Sequence, residues 1–143
     1  KFADAHMNLA IAYQNMGRSE DAQREYEAAL SLEPAHSLAH SNYGNLLNSL
    51  GKLSQAEEHY RKSIEYDPKY AEAYSNLAVC LCNQNRIDEA EGFYRRAIEL
   101  KPGFARAHDN LGLLLARTGN HDHHMKLGSA LAIVTESPLY TTG

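Results

Sequence analysis

The feature that most constrains this chain is a spacing of 34 residues that recurs along most of its length. Pro34, Pro68 and Pro102 obey it, as do Ala5, Ala39, Ala73 and Ala107, and Asn8, Asn42, Asn76 and Asn110. In register, the units open KFADAHMNLA, AHSLAHSNYG, KYAEAYSNLA and GFARAHDNLG. A fixed period of this length marks a stacked architecture in which each unit is one supersecondary element.

Each unit carries two helical patterns. In the first, His6, Leu9, Ala10 and Tyr13 are spaced i, i+3, i+4, i+7, which is one helix face. Gly17, Gly51, Asn85 and Gly119 then stand where a left-handed backbone ends the helix. Ala22, Tyr26, Ala29 and Leu30 mark one face of a second helix. Pro34 closes the unit, because it cannot continue a helix without losing a hydrogen bond. The pattern predicts first helices over 3–16, 37–50, 71–84 and 105–118, and second helices over about 20–32, 53–66 and 87–100. Small residues recur where helices approach: Ala10, Gly44, Ala78 and Gly112 in first helices, Ala22, Ala56 and Ala90 in second ones. Tyr26, Tyr60 and Tyr94 fill the space opposite, the large-and-small alternation that interlocks packed layers. One hairpin cannot bury its apolar face alone, so neighbours must stack into a continuous core.

The third unit, with Tyr74, Leu77, Ala78, Leu81, Asn85, Ala90, Tyr94, Ala97 and Pro102, resembles the tetratricopeptide repeat (TPR) family. The resemblance implies an all-α fold, a right-handed superhelix of antiparallel helical hairpins. Asn85 replaces the family's usual turn glycine. His6, His40 and His108 sit where the family favours a large aromatic, and are expected as partly buried packing groups. The array is expected over residues 1–120, with repeats 3–36, 37–70 and 71–104 and the first helix of a fourth at 105–118. Lys1-Phe2 match Lys69-Tyr70 and Gly103-Phe104, which close one unit and lead into the next. The chain therefore reads as a fragment of a longer protein with further repeats upstream. Beyond Gly119 the register fails: His124 replaces the expected Ala, and Gly128 the expected aromatic. Residues 121–143 are either a divergent capping segment, with helical spacing over 123–134, or a tail foreign to the array.

Composition narrows the function. The 143 residues are 43% hydrophobic and 22% charged, with a net charge of -4. That balance argues against a nucleic-acid binder, which needs a basic patch to displace counterions. No apolar run approaches a membrane span, so no membrane contact is expected of this segment. Cys80 and Cys82, two apart on a helix, point to roughly opposite sides and cannot pair with each other. They fit a reduced setting: a cytoplasmic or nucleocytoplasmic location is the reading, with the ER lumen as the alternative.

Catalytic chemistry finds no footing. His121, His123 and His124 lack the further ligands of a tetrahedral zinc site. Glu20-Asp21 and Glu57-Glu58 read as solvated surface charge. No phosphate loop and no nucleophile-base constellation appears. No enzyme activity, metal or cofactor is expected of these residues. A parent enzyme with its catalytic module elsewhere stays open.

A second stripe on the first helices points to binding. It includes Met7, Asn8 and Ile11, then Ser41, Asn42 and Asn45, then Ser75, Asn76 and Val79, then Asp109, Asn110 and Leu113. In the family, first helices line the inner, concave surface. A carboxamide offers one acceptor and two donors, matching a peptide unit. Asn8, Asn42, Asn76 and Asn110 in one row would grip an extended backbone, while Met7, Ser41, Asn45, Ser75 and Asp109 would set side-chain preference. The row resembles the asparagine ladder of O-GlcNAc transferase repeat arms and, loosely, the repeats of membrane-anchored mannosyltransferases. The function expected is a scaffold for a protein or peptide partner, with no nucleic acid. One alternative is a chaperone C-terminal-tail adaptor. Its two-carboxylate clamp would fall on Met7, Ile11, Asn42, Glu72 and Asn76, or on Ser41, Asn45, Asn76, Arg106 and Asn110, and in both registers it lacks charges it needs. The other alternative is a structural array used for self-association.

Overall fold

The computed structural model describes residues 1–119. They form seven α-helices, with no strand among the described residues: α1 Phe2–Asn15, α2 Ser19–Leu32, α3 Ser37–Ser49, α4 Leu53–Tyr66, α5 Ala71–Asn83, α6 Ile87–Leu100 and α7 Ala105–Thr118. The chain divides into two compact units. Lys1–Phe104 holds α1 to α6, and the second begins at Ala105 and contains α7. The expectations for residues 121–143, including His121, His123 and His124, lie outside the described residues.

The turns inside the hairpins explain the period. Gly17 and Gly51 adopt φ of 78°, and Asn85 takes the same left-handed region at 61°. Around each, the same two backbone bonds close the helix end. Gly17 N–H donates to Gln14 (3.0 Å) and Arg18 N–H to Tyr13 (2.8 Å); Lys52 donates to Leu47 (2.9 Å) and Arg86 to Leu81 (2.8 Å). This is the Schellman closure, in which the residue past the cap must turn left-handed. Asn is among the few side chains that tolerate that region, so Asn85 leaves the turn unchanged. The links between hairpins are equally regular: His36 N–H to Glu33, Tyr70 N–H to Asp67 and Phe104 N–H to Lys101, at 2.9–3.1 Å.

Within Lys1–Phe104, α1 pairs with α2, α3 with α4, and α5 with α6. α2 then packs on α3 and α4 on α5, while α1, α3 and α5 also meet one another in sequence. The first helices thus form one wall. Ala10, Ala22, Ala56, Ala78 and Ala90 are fully buried, as are Tyr26, Tyr60 and Tyr94 to within a few per cent. Leu9 is exposed, whereas its equivalents Tyr43 and Leu77 are buried. Stacking units bury such a face only where a neighbour covers it. A further clip joins the first two hairpins: His36 caps α3 by accepting from Ala39 N–H (3.1 Å), and its Nε2–H donates to Asp4 (2.6 Å). That bond holds the Asp4 carboxyl below its ordinary value.

The tightest contact is Tyr60 on Gly44. A methyl group at position 44 would lie 2.7 Å from Cε1 and 2.9 Å from Cδ1 of the Tyr60 ring. The ring cannot easily withdraw, because it is buried and its hydroxyl donates to Asn45 Oδ1 at 2.5 Å. Gly44→Ala is therefore expected to destabilise the chain by about 1–3 kcal/mol through overpacking, despite its better helix propensity. A urea unfolding midpoint unchanged or raised by Gly44→Ala would show that the ring is free to move.

Candidate functional site

The first-helix wall carries the asparagine row. Asn8 is exposed, and Asn42 and Asn76 are half-buried. Each of the last two points its amide back to the preceding hairpin. Asn42 Nδ2 donates to Met7 Sδ at 3.7 Å, and Asn76 Nδ2 donates to Ser41 Oγ at 3.5 Å. One turn or two further along the wall, Asn83 Nδ2 donates to Asn48 Oδ1 at 3.2 Å. All three bonds span 35 residues, so each reaches one period and one position back. Among the described residues, nothing donates to the Oδ1 atoms of Asn42 and Asn76. Asn110 holds the same place within α7, where it is half-buried, and Asp109 beside it is exposed.

Three neighbours do not line this wall as the sequence reading expects. Met7, Ser41 and Ser75 are buried. Each precedes its asparagine by one residue and so is turned about 100° round the helix, away from the asparagine's own direction. For Met7 and Ser41 that direction leads to the seam where the next hairpin's asparagine arrives. Ser75 is fully buried, and its hydroxyl has no hydrogen-bond partner among the described residues. Asn45 is also committed inward, because its Oδ1 accepts the Tyr60 hydroxyl.

Glu57 corrects the reading of surface charge. Its carboxylate accepts from Arg86 Nη1 (2.6 Å), Arg61 Nε (2.9 Å) and Gln84 Nε2 (3.1 Å), joining α4 to the turn before α6. Burial alone would raise its pKa, but these bonds hold it below its ordinary value. Nothing local in sequence signals this, since Arg86 lies 29 residues away. Cys80, a packing residue as expected, is buried with its thiol directed at the Leu53 carbonyl (3.4 Å), and burial pushes that thiol up. No group of three His, Cys, Asp or Glu able to hold a metal occurs among the described residues. No helix among them is long and apolar enough to cross a membrane.

Two family models of the tetratricopeptide repeat match, over residues 7–65 and 47–117. The chain belongs to the tetratricopeptide repeat family. A TPR array of this kind is a protein–protein interaction scaffold, and such domains are generally non-catalytic. No curated protein matches at the level of sequence. Among solved structures, MamA is similar at 24% identity and a TM-score of 0.79, covering 87% of this chain and 72% of MamA. The Thermobaculum terrenum O-GlcNAc transferase is similar at 26% identity and a TM-score of 0.74, covering 79% of this chain but 22% of that enzyme. The first TPR domain of Spaghetti, bound to an HSP90 peptide, is similar at 20% identity and a TM-score of 0.78, covering 82% of this chain and 94% of that one.

The TPR position occupied by His6, His40 and Tyr74 pairs each residue with the one 19 further on. His6 Nδ1 meets Glu25 at 2.7 Å, His40 Nδ1 meets His59 Nδ1 at 3.0 Å, and Tyr74 lies against Phe93 with ring centroids 6.2 Å apart. The middle pair fixes its own tautomers. His40 Nε2 lies 2.8 Å from the Pro34 carbonyl, which only accepts, so Nε2 carries the proton. In a neutral His40 ring Nδ1 is then an acceptor, and His59 Nδ1–H must donate to it. Burial pushes both imidazoles down, His59 to about 4, with the His40 and Lys62 charges acting in the same direction on it. The unfolded chain therefore binds more protons here than the folded one between the ordinary histidine value and about pH 4. Stability from this pair is complete above the ordinary value of 6.5 and is lost as pH falls through that window. His59→Phe, which copies Phe93, is expected to flatten the pH dependence of the unfolding free energy between about pH 6.5 and 4. Chemical denaturation at stepped pH checks this; equal slopes in the two proteins would show that the pair is not held neutral.

Proposed function

We propose that the wall formed by α1, α3 and α5 of this TPR array binds an extended peptide segment through its backbone, with Asn8, Asn42 and Asn76 supplying the amide contacts, and that Asn110 offers the same contact within α7. The observation that carries this reading is the shared pose of Asn42 and Asn76. Both tie an Nδ2 hydrogen to the preceding hairpin and keep Oδ1 without a donor. Two half-buried acceptors one repeat apart, held by the same bond, suit the N–H groups of an extended chain, which are otherwise unpaired. Side-chain preference then falls to Ile11 and Val79, since Met7, Ser41 and Ser75 are buried.

A chaperone-tail clamp has less support, although the Spaghetti domain was solved with an HSP90 peptide. In one register the clamp would need a base at position 72, and Glu72 stands there, 3.9 Å from Lys101. In the other, Ser41 occupies the first basic position and is buried.

Replacing Asn42 and Asn76 together with Ala is expected to weaken an extended peptide, selected on the wild-type chain from a random library, by about 1–3 kcal/mol. Calorimetric titration measures the loss, and thermal unfolding of the double variant controls for folding. Undiminished affinity would remove the asparagines from the binding reading.

A further inference from the structure

The first-helix wall carries a second line of amides. On α5, Asn76, Val79 and Asn83 are spaced i, i+3, i+7, so they share one helix face. Asn83 stands two turns beyond Asn76, about 10.5 Å along the axis at 1.5 Å per residue. The two amides hold the same pose. Asn76 Nδ2 donates to Ser41 Oγ, and Asn83 Nδ2 donates to Asn48 Oδ1 over the same 35-residue span. Asn83 is exposed, and among the described residues nothing donates to its Oδ1. Between the two amides lies Val79, apolar and half-buried. α1 repeats the arrangement with Asn8, Ile11 and Asn15.

Two acceptor lines with an apolar strip between them match the cross-section of one extended strand. Successive N–H groups of a strand point to opposite edges, so a strand can bond along both. The backbones that flank a paired strand lie about 9.6 Å apart, twice the strand spacing. That is close to the separation of the Asn76 and Asn83 positions. Charge narrows the choice further. α1, α3 and α5 carry no Lys or Arg, and their charged residues are Asp4 and Glu72, both in the first turn of their helices. A carboxylate laid on this wall would lose water without meeting a cation of these helices.

We propose that Asn83, with Asn15 at the same place in α1, forms a second binding line, and that the partner is an uncharged extended strand held by both edges with an apolar side chain set on Val79. The assignment rests on the peptide reading given above, in which one line of asparagines engages one edge of the backbone. Main-chain bonds along two edges hold the strand, and the strip between the lines takes the side chains of its wall-facing side.

The probe is a peptide selected on the wild-type chain from a random library, remade with a single backbone N-methyl group at each position in turn. Each methyl group removes one donor. A peptide held by one edge is sensitive only at positions an even number of residues apart; one held by both edges is sensitive at positions an odd number apart as well. Two such interleaved sets are expected, each methyl group costing roughly 2–10-fold in affinity. Asn83→Ala should weaken the unmethylated peptide to a similar extent and erase the sensitivity of the second set alone. Asn42→Ala with Asn76→Ala should erase the first set. The scan on the wild-type chain decides the question by itself should Asn83→Ala not fold. Sensitivity confined to one set, or full affinity in a folded Asn83→Ala variant, would overturn the second line and leave the first standing. Insensitivity throughout the scan would sink the peptide reading itself, and selected sequences rich in Asp or Glu would overturn the uncharged partner.

Discussion

A tyrosine ring lies flat against a helix only where that helix carries nothing larger than a methyl group. Gly44, under the Tyr60 ring, meets that condition with no side chain at all, and the contact sets how closely α4 can approach α3. Tyr60 shows the limit, since even a methyl group at Gly44 would fall inside contact distance. The same ring also reaches through the hairpin. Its hydroxyl ends on Asn45, and the Tyr26 hydroxyl ends on Gln14 at 3.0 Å. One residue type thus fixes the separation of the helices and anchors part of the polar wall beyond them. Asn45 Oδ1 is turned inward for this reason and not because of where it stands in the repeat.

Most of the fold was legible in the chain's periodicity. Columns of Pro, Gly or Asn, and Ala placed every described helix to within a residue or so of its observed ends, because these residues act through backbone geometry and close approach, which are local. The site was legible only in part. The stripe containing Asn42 and Asn76 was visible, but a face defined by i, i+3 and i+4 spacing is too broad to separate an asparagine from the residue before it. Met7 and Ser41 lie within that width and are buried by the seam between hairpins. Glu57 was missed for a different reason. Its partners Gln84 and Arg86 are more than two dozen residues away and meet it only after stacking. A charge that looks solvated in one helix becomes a strut between two.

Stacking copies of one unit has a further consequence for side chains that vary. In the three described hairpins position 6 of the repeat meets the residue 19 beyond it, and the chain fills that meeting as an acid with a histidine, as two histidines, or as a phenol with a phenyl ring. The backbone does not change between them.

The asparagine wall follows the same logic with the roles reversed, since here the residue is constant and its surroundings vary. An amide that reached only toward a ligand would be a mobile side chain, ordered at an entropic cost each time a peptide bound. Donation from Nδ2 to Met7 or Ser41 orders it beforehand. The bond to the sulfur of Met7 is weak and that to Ser41 is long, so neither adds much to stability; their effect is to orient the carbonyl. What remains available is predominantly an acceptor. On the peptide-binding reading, such a wall discriminates by backbone state more than by sequence. It favours segments with free N–H groups at a regular spacing, and it disfavours helices, whose N–H groups are already paired, and proline, which has none.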